Sequence, residues 1–239
     1  MDKTVCVYIE SKEKISPERS QTIDFKKISS FVKDNFGFAA KVKKLKESIV
    51  QTKGLLYEPV YTQKLFEKIK SNEDKRAGHA DDRGCIDVLV TDKLIATYEE
   101  NDRRLHLRAA IFGWPSVIST PGIVEAPAKP KEYYLAKQKY SLLRAWELKE
   151  REVKQKFKDR FIDYRDPRLT EVLKGYLAQA IFFELSGNPF CENKSCRLFN
   201  AHWQEDLLRV QIKSGRFCRS HQQKLTKIKE GRESYGPLT

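Results

Sequence analysis

Four residues in the last quarter of the chain, Cys191, Cys196, Cys218 and His221, constrain its fold more than any other feature. They form a Cys-x4-Cys pair and, after a spacer, a Cys-x2-His pair, using three of the five cysteines and one of the four histidines. Thiolate and imidazole are the ligands of Zn²⁺ in a closed tetrahedral site, and two close pairs let two turns deliver four ligands to one ion. The residues between the first pair, Glu192, Asn193, Lys194 and Ser195, are polar loop residues and give core-filling cysteines no reason to gather there. One structural zinc, closing a zinc-stapled C-terminal part, is expected.

The remaining cysteines, Cys6 and Cys85, sit in strand-like apolar runs as ordinary buried thiols, so no disulfide framework is expected. No run approaches the ~18 to 20 apolar residues of a membrane span. The chain opens on strand-like Val5 to Ile9 instead of a basic and then apolar leader. The expectation is a cytoplasmic protein in a reducing compartment, with no membrane partner. A length of 239 residues with 40% hydrophobic content is enough for one sizeable core. The net charge of +13 favours an acidic partner such as nucleic acid, although abundant lysine and glutamate also fit an ion-paired surface.

Strand and helix signals alternate over the first ~120 residues and predict an α/β layer on one mixed sheet. Val5 to Ile9 and Ile86 to Val90 read as strands, Ile23 to Phe36 and Tyr61 to Ile69 as helices, and Leu94 to Tyr98 with Leu105 to Phe112 as a hairpin. Val117 to Ser119, between prolines, reads as a short edge strand. Lys131 to about Phe161 reads as one long amphipathic helix, and from Lys129 to Arg160 it carries eleven basic residues against five acidic ones. Asp166 and Pro167 read as the N-cap and first residue of a second helix. That helix is apolar almost all round to Leu185 and stops at Gly187, the pattern of a buried central helix. Trp203 to Ile212 reads as a short helix, and the basic tail from Ser220 as frayed. In this reading residues 1–221 form one domain: 1–130 sheet and helices, 131–190 the two long helices, 191–221 the zinc site. Residues 222–239 form a flexible tail.

A buried helix ending in glycine, a cysteine four residues beyond it, and the Cys-x4-Cys and Cys-x2-His pairs together resemble the archaemetzincins. These are zinc metallopeptidases whose helix carries HExxHxxGxxHC, followed by C-x4-C-x-M and a later C-x2-C. Here Leu198 stands at the methionine of that pattern and His221 replaces its last cysteine. Asp87 to Asp92 and Ile111 to Thr120 are similar to the family's strand motifs, in the same order. The whole chain is also similar to a group of archaeal proteins classed as metallopeptidases. The resemblance implies a metzincin-like mixed sheet with packed helices, and Cys191, Cys196, Cys218 and His221 as ligands of the structural zinc.

It does not carry over a catalytic site. Counting back from Cys191 places Ala180, Glu184 and Phe190 at the family's three histidines and Ile181 at its catalytic glutamate, while Gly187 is kept. A hydrolytic zinc needs three protein ligands, an open position and a carboxylate to accept the water's proton. The expectation is therefore a catalytically inactive relative, a zinc-stabilised scaffold or module binding a protein or peptide partner, with Val117 to Thr120 as the edge for β-augmentation. One alternative is an active metallopeptidase with a non-standard metal site, for which the weak candidates are Glu184 and His202, with His79 as a third group. Another is sequence-independent binding to RNA or DNA, with Tyr133, Tyr134, Tyr140 and Trp146 among the lysines.

Overall fold

The computed structural model describes residues 3–10, 23–77 and 84–232. The elements run β1 (Thr4–Glu10), α1 (Phe25–Phe36), β2 (Ala39–Lys44), β3 (Thr52–Lys53), β4 (Leu56–Tyr57), α2 (Pro59–Ala77) and β5 (Cys85–Thr91). There follow β6 (Ile95–Glu99), β7 (Arg104–Arg108), β8 (Ala110–Ile111), β9 (Ser116–Ser119), α3 (Thr120–Glu125), α4 (Lys131–Leu142) and α5 (Trp146–Lys156). The last are α6 (Leu169–Ser186), α7 (Gln204–Leu208), a π-helical turn (Arg209–Ser214) and α8 (Arg219–Lys229).

The main sheet has the order β2-β1-β5-β9-β8, parallel throughout except for β8, which runs antiparallel to β9. Its middle strands are covered on both faces, which is why they are near-continuous apolar runs. The period of two then decides which core each side chain joins. Val5, Val7, Ile86, Val88 and Ile118 enter the larger core with α1, α6 and α8, while Cys6, Tyr8, Leu89 and Val117 enter the smaller one with Phe66 of α2. A second sheet, β3-β4-β6-β7, carries the expected hairpin, turning through Arg103 with φ 55°.

Several boundaries differ from expectation for identifiable reasons. The edge strand is β8 and not Val117–Ser119: Ala110 and Ile111 pair with Ile118 and Val117 and take the outer position. The long helix from Lys131 to Phe161 is two helices, broken at Arg144 with φ 51°. Its aromatic residues need a core of their own, and folding back gives them one, with Tyr133 in ring contact with Trp146 (6.0 Å), Phe157 (6.4 Å) and Phe161 (5.4 Å). α6 begins at Leu169, later than Asp166–Pro167 suggested, because Asp166 serves a turn before it: its Oδ1 accepts from Arg168 N and its carbonyl from Leu169 N. The tail does not fray from Ser220; α8 runs to Lys229, burying Leu225 and Ile228 in the larger core.

Gln204, the first residue of α7, is fully buried and ties three segments together. Its Oε1 accepts from Ile162 N, and its Nε2 donates to the carbonyls of Ile123 and Val124. Gln204→Ala leaves that amide without an intramolecular partner and opens a hole, so the expected cost is about 2–3 kcal/mol. Thermal melting should fall by roughly 5–10 °C for a chain of this size.

Candidate metal centre and the face of the buried helix

The four predicted ligands come from two local structures. Cys191 and Cys196 flank a tight loop in which Asn193 accepts from Ser195 N through its side chain and from Cys196 N through its carbonyl. Cys191 N donates in turn to Leu198 O, which closes the loop. Cys218 and His221 lie one helical turn apart at the start of α8, Cys218 in the capping position. The two halves are joined by buried Arg197, whose Nε donates to Gly215 O and whose backbone N donates to Arg216 O. The Arg197 guanidinium also stacks 5.0 Å from the ring of Phe31, and Gln211 Nε2 donates to its carbonyl.

These supports bring the four ligand atoms within 4.8 Å of one another. Cys191 Sγ is 3.9 Å from Cys218 Sγ, and His221 Nδ1 is 3.8 Å from Cys196 Sγ and 3.2 Å from Cys218 Sγ. Bonds of ~2.3 Å to sulfur and ~2.0 Å to nitrogen at tetrahedral angles give ligand–ligand separations of roughly 3.5–3.8 Å, the scale found here. Phe182 closes one side with its ring 5.2 Å from the imidazole and nearly perpendicular to it.

The electrostatics suit a cation. Burial pushes the Cys191 thiol up and the Cys196 thiol up to about 12. At Cys218 burial acts in the same sense, but the amides of His221 and Ser220 and the facing thiols outweigh it, and the net direction is down. Burial, then the charge of Lys224, lowers His221, which favours the neutral, ligating imidazole. Thiols that resist ionisation in isolation ionise together when a divalent cation compensates their charge.

The face of α6 is different in kind. Ala180 and Ile181 are fully buried in the larger core, Glu184 is half-buried, and Phe190, beyond the helix, is 37% exposed. Gly187 ends the helix at φ 69° with its N–H bonded to Phe183 O. Glu184 has no hydrogen-bond or ion-pair partner among the described residues. His202 is exposed and its backbone O accepts from Ala128 N. The Cys/His cluster is the one group of three or more metal-ligating side chains among the described residues, and it includes neither Glu184 nor His202. His79 lies outside the described residues, and His106 pairs at 2.7 Å with Asp102 on the hairpin.

Beside this face is a cavity of about 220 Å³, bounded by the segment 107–110 leading into β8, by Phe112, Tyr176 and Gln179, and by Phe190, Phe199 and His202. Gln179 is held by its Nε2, which faces the carbonyls of Leu198 (3.5 Å) and Phe199 (3.4 Å), leaving its buried Oε1 without a partner. Burial drives the Tyr176 hydroxyl well above its ordinary range, so it stays protonated as a donor. Neither this cavity nor Arg197 was anticipated from sequence. The one available signal was Gln179, a polar residue among the apolar positions 177–183 of α6.

A mixed sheet with one antiparallel edge strand, a buried helix ended by a left-handed glycine and a Cys/His cluster just beyond it define a mixed α/β protein with a candidate zinc centre. The chain belongs to the probable metallopeptidase family (DUF6775), which it matches over residues 2–228. Its fold is similar to the crystal structure of archaemetzincin from Methanopyrus kandleri, at 14% sequence identity and a TM-score of 0.50 over 96% of each chain. Among curated proteins none matches it in sequence. Family and cluster together indicate zinc binding. At the four positions that counting back from Cys191 assigns to a hydrolytic zinc and its base, Ala180, Ile181 and Phe190 offer no ligand atom and Glu184 offers one carboxylate, so that set does not fit such an ion.

Proposed function

We propose that this chain is a non-hydrolytic member of its family, a peptide-binding module held together by one structural zinc. The observation that supports the reading is that Ala180 and Ile181 of α6 are fully buried in the core and, with Phe190 beyond the helix, offer no ligand atom, which leaves Glu184 as the one ligating side chain of the four. Cys191, Cys196, Cys218 and His221 would fill all four positions of the zinc, leaving none for water, so this ion supplies cohesion and no hydrolytic chemistry. The three free thiols of the cluster support a reducing compartment such as the cytoplasm.

The cavity beside α6 and the outer edge of β8 adjoin one another, and that supports a peptide as the ligand. An extended segment pairing with Ala110 and Ile111 would direct alternate side chains towards the wall made by Phe112, Tyr176 and Phe190. Nucleic acid is the weaker reading, because the stripe of basic residues is divided between two helices and much of it is neutralised locally. Lys149 pairs with Glu152, Lys154 with Glu150 and Asp163, and Arg160 with Glu132 and Glu205.

The test combines metal content with activity. Elemental analysis should give one zinc per chain, and zinc-supplemented protein should leave fluorogenic peptides and casein uncut. A second zinc, together with cleavage that Glu184→Gln abolishes without disturbing the fold, would show that an active site has been assembled from other groups.

A further inference from the structure

We propose that the tip of the α4–α5 hairpin docks on the surface of an anionic lipid bilayer. No helix among the described residues is long and apolar enough to cross a membrane, so the association is peripheral. Leu142, Leu143 and Leu148 surround the turn and are 79%, 64% and 85% exposed, with Leu135 at 55% further down α4. The hairpin core does not need them, since that core is made of Tyr133, Val153, Phe157 and Phe161 with Ala136, Tyr140 and Trp146 against it. Leucines this exposed, gathered on one protrusion, mark a contact surface.

Shape and charge select the occupant. The leucines sit at the turn of a helical hairpin, where Arg144 in the left-handed region reverses the chain, so the patch is a convex tip and not a groove. A protein partner would have to supply a matching hollow, whereas the interfacial region of a bilayer deforms around an inserted tip. Cations border the same tip: residues 137–152 hold Lys137, Lys139, Arg144, Lys149 and Arg151 against Glu147, Glu150 and Glu152, and with Lys149 paired to Glu152 the charge that faces outward rests on Lys137, Lys139, Arg144 and Arg151. Helical spacing puts Lys139 on the face of Leu135 and Leu142, and Arg151 on the face of Leu148. Leucines at the tip with lysine and arginine around them match an acyl boundary beneath anionic headgroups, and neither part alone gives firm attachment. Trp146, under Lys137 at 5.6 Å, adds an amphipathic ring at the same level.

Co-sedimentation of the zinc-loaded full chain with vesicles tests the proposal. Binding should be seen with phosphatidylglycerol–phosphatidylcholine vesicles and be much weaker with phosphatidylcholine alone. The double variant Leu142→Glu, Leu148→Glu should lower the bound fraction at least about tenfold, since it removes apolar burial and adds repulsion. Zinc content and melting should stay unchanged, because both side chains are solvent-exposed in the folded chain. Three results would overturn the proposal. One is no binding to anionic vesicles at low salt. Another is binding that the leucine variant leaves intact, which would assign it to net charge alone. The third is concentration-dependent self-association in light scattering, abolished by the variant while vesicle binding persists, which would make the tip a contact between two copies of the chain.

Discussion

Cys196→Ser should strip zinc from the protein and lower its melting temperature by roughly 10–15 °C, taking a loss of several kcal/mol and the shift per kcal/mol usual for a chain of this length. Cys196 is fully buried, and its sulfur accepts from Cys218 N as well as facing His221 Nδ1. Serine cannot replace a thiolate as a soft ligand, and three remaining ligands leave the two half-buried thiols of Cys191 and Cys218 with no cation to compensate them. The damage should spread from the loop into α8, because Leu225 and Ile228 are placed by the ligands that begin that helix. Metal content and melting measured on the same sample check this. Loss of zinc with an unmoved melt would remove the structural role from the site.

Gly122→Ala should be nearly as damaging without touching the metal. Gly122 lies in α3, packed on the segment linking β7 to β8, and a β-carbon there would lie 2.1 Å from Arg108 O and 2.9 Å from its carbonyl carbon. No rotamer relieves a clash with backbone, so either α3 or the end of β7 must move. The expected cost is about 3 kcal/mol, at the upper end of overpacking effects, which corresponds to roughly 6–12 °C in melting. Since that segment also bounds the cavity beside α6, any peptide affinity should fall with it. Wild-type stability in Gly122→Ala would show that the contact between α3 and the end of β7 is loose.

The parts of the fold legible in the sequence were those in which a local pattern and the tertiary demand coincide. β1, β5 and α6 are largely apolar because most of their residues are buried, and the four ligands are close pairs in sequence that meet in space. What escaped was decided by remote packing. β2 is a lysine-rich edge strand, Ala39–Lys44, whose charges blunt its outer side and hide it from a hydrophobicity reading. The break at Arg144 comes from aromatic contacts between residues on either side of it, which no helical periodicity records. α8 looked like a frayed basic tail because Leu225 and Ile228 are its two buried residues. At the site, the burial of Ala180 and Ile181 was readable from the apolar pattern of α6. The cavity beside it was not, since Tyr176, Phe112 and His202 meet only once the sheet and the metal loop are assembled.

The packing of α8 on α1 has a further consequence for how the protein comes into being. Lys229 Nζ donates to Asp34 O across 195 positions of sequence, and Phe217, just ahead of α8, meets Phe31 and Phe36 of α1 and Phe182 of α6. A nascent chain emerging from the ribosome therefore carries α1 with its phenylalanine face uncovered for most of its synthesis. The covering segment arrives together with Cys218 and His221, so metal capture and closure of that face become a single late event. Until then the polypeptide resembles an unfinished intermediate with exposed aromatic surface, the state in which chains of this size aggregate or engage chaperones. Zinc supply during growth should thus govern the soluble yield of the protein as well as the stability of the finished molecule.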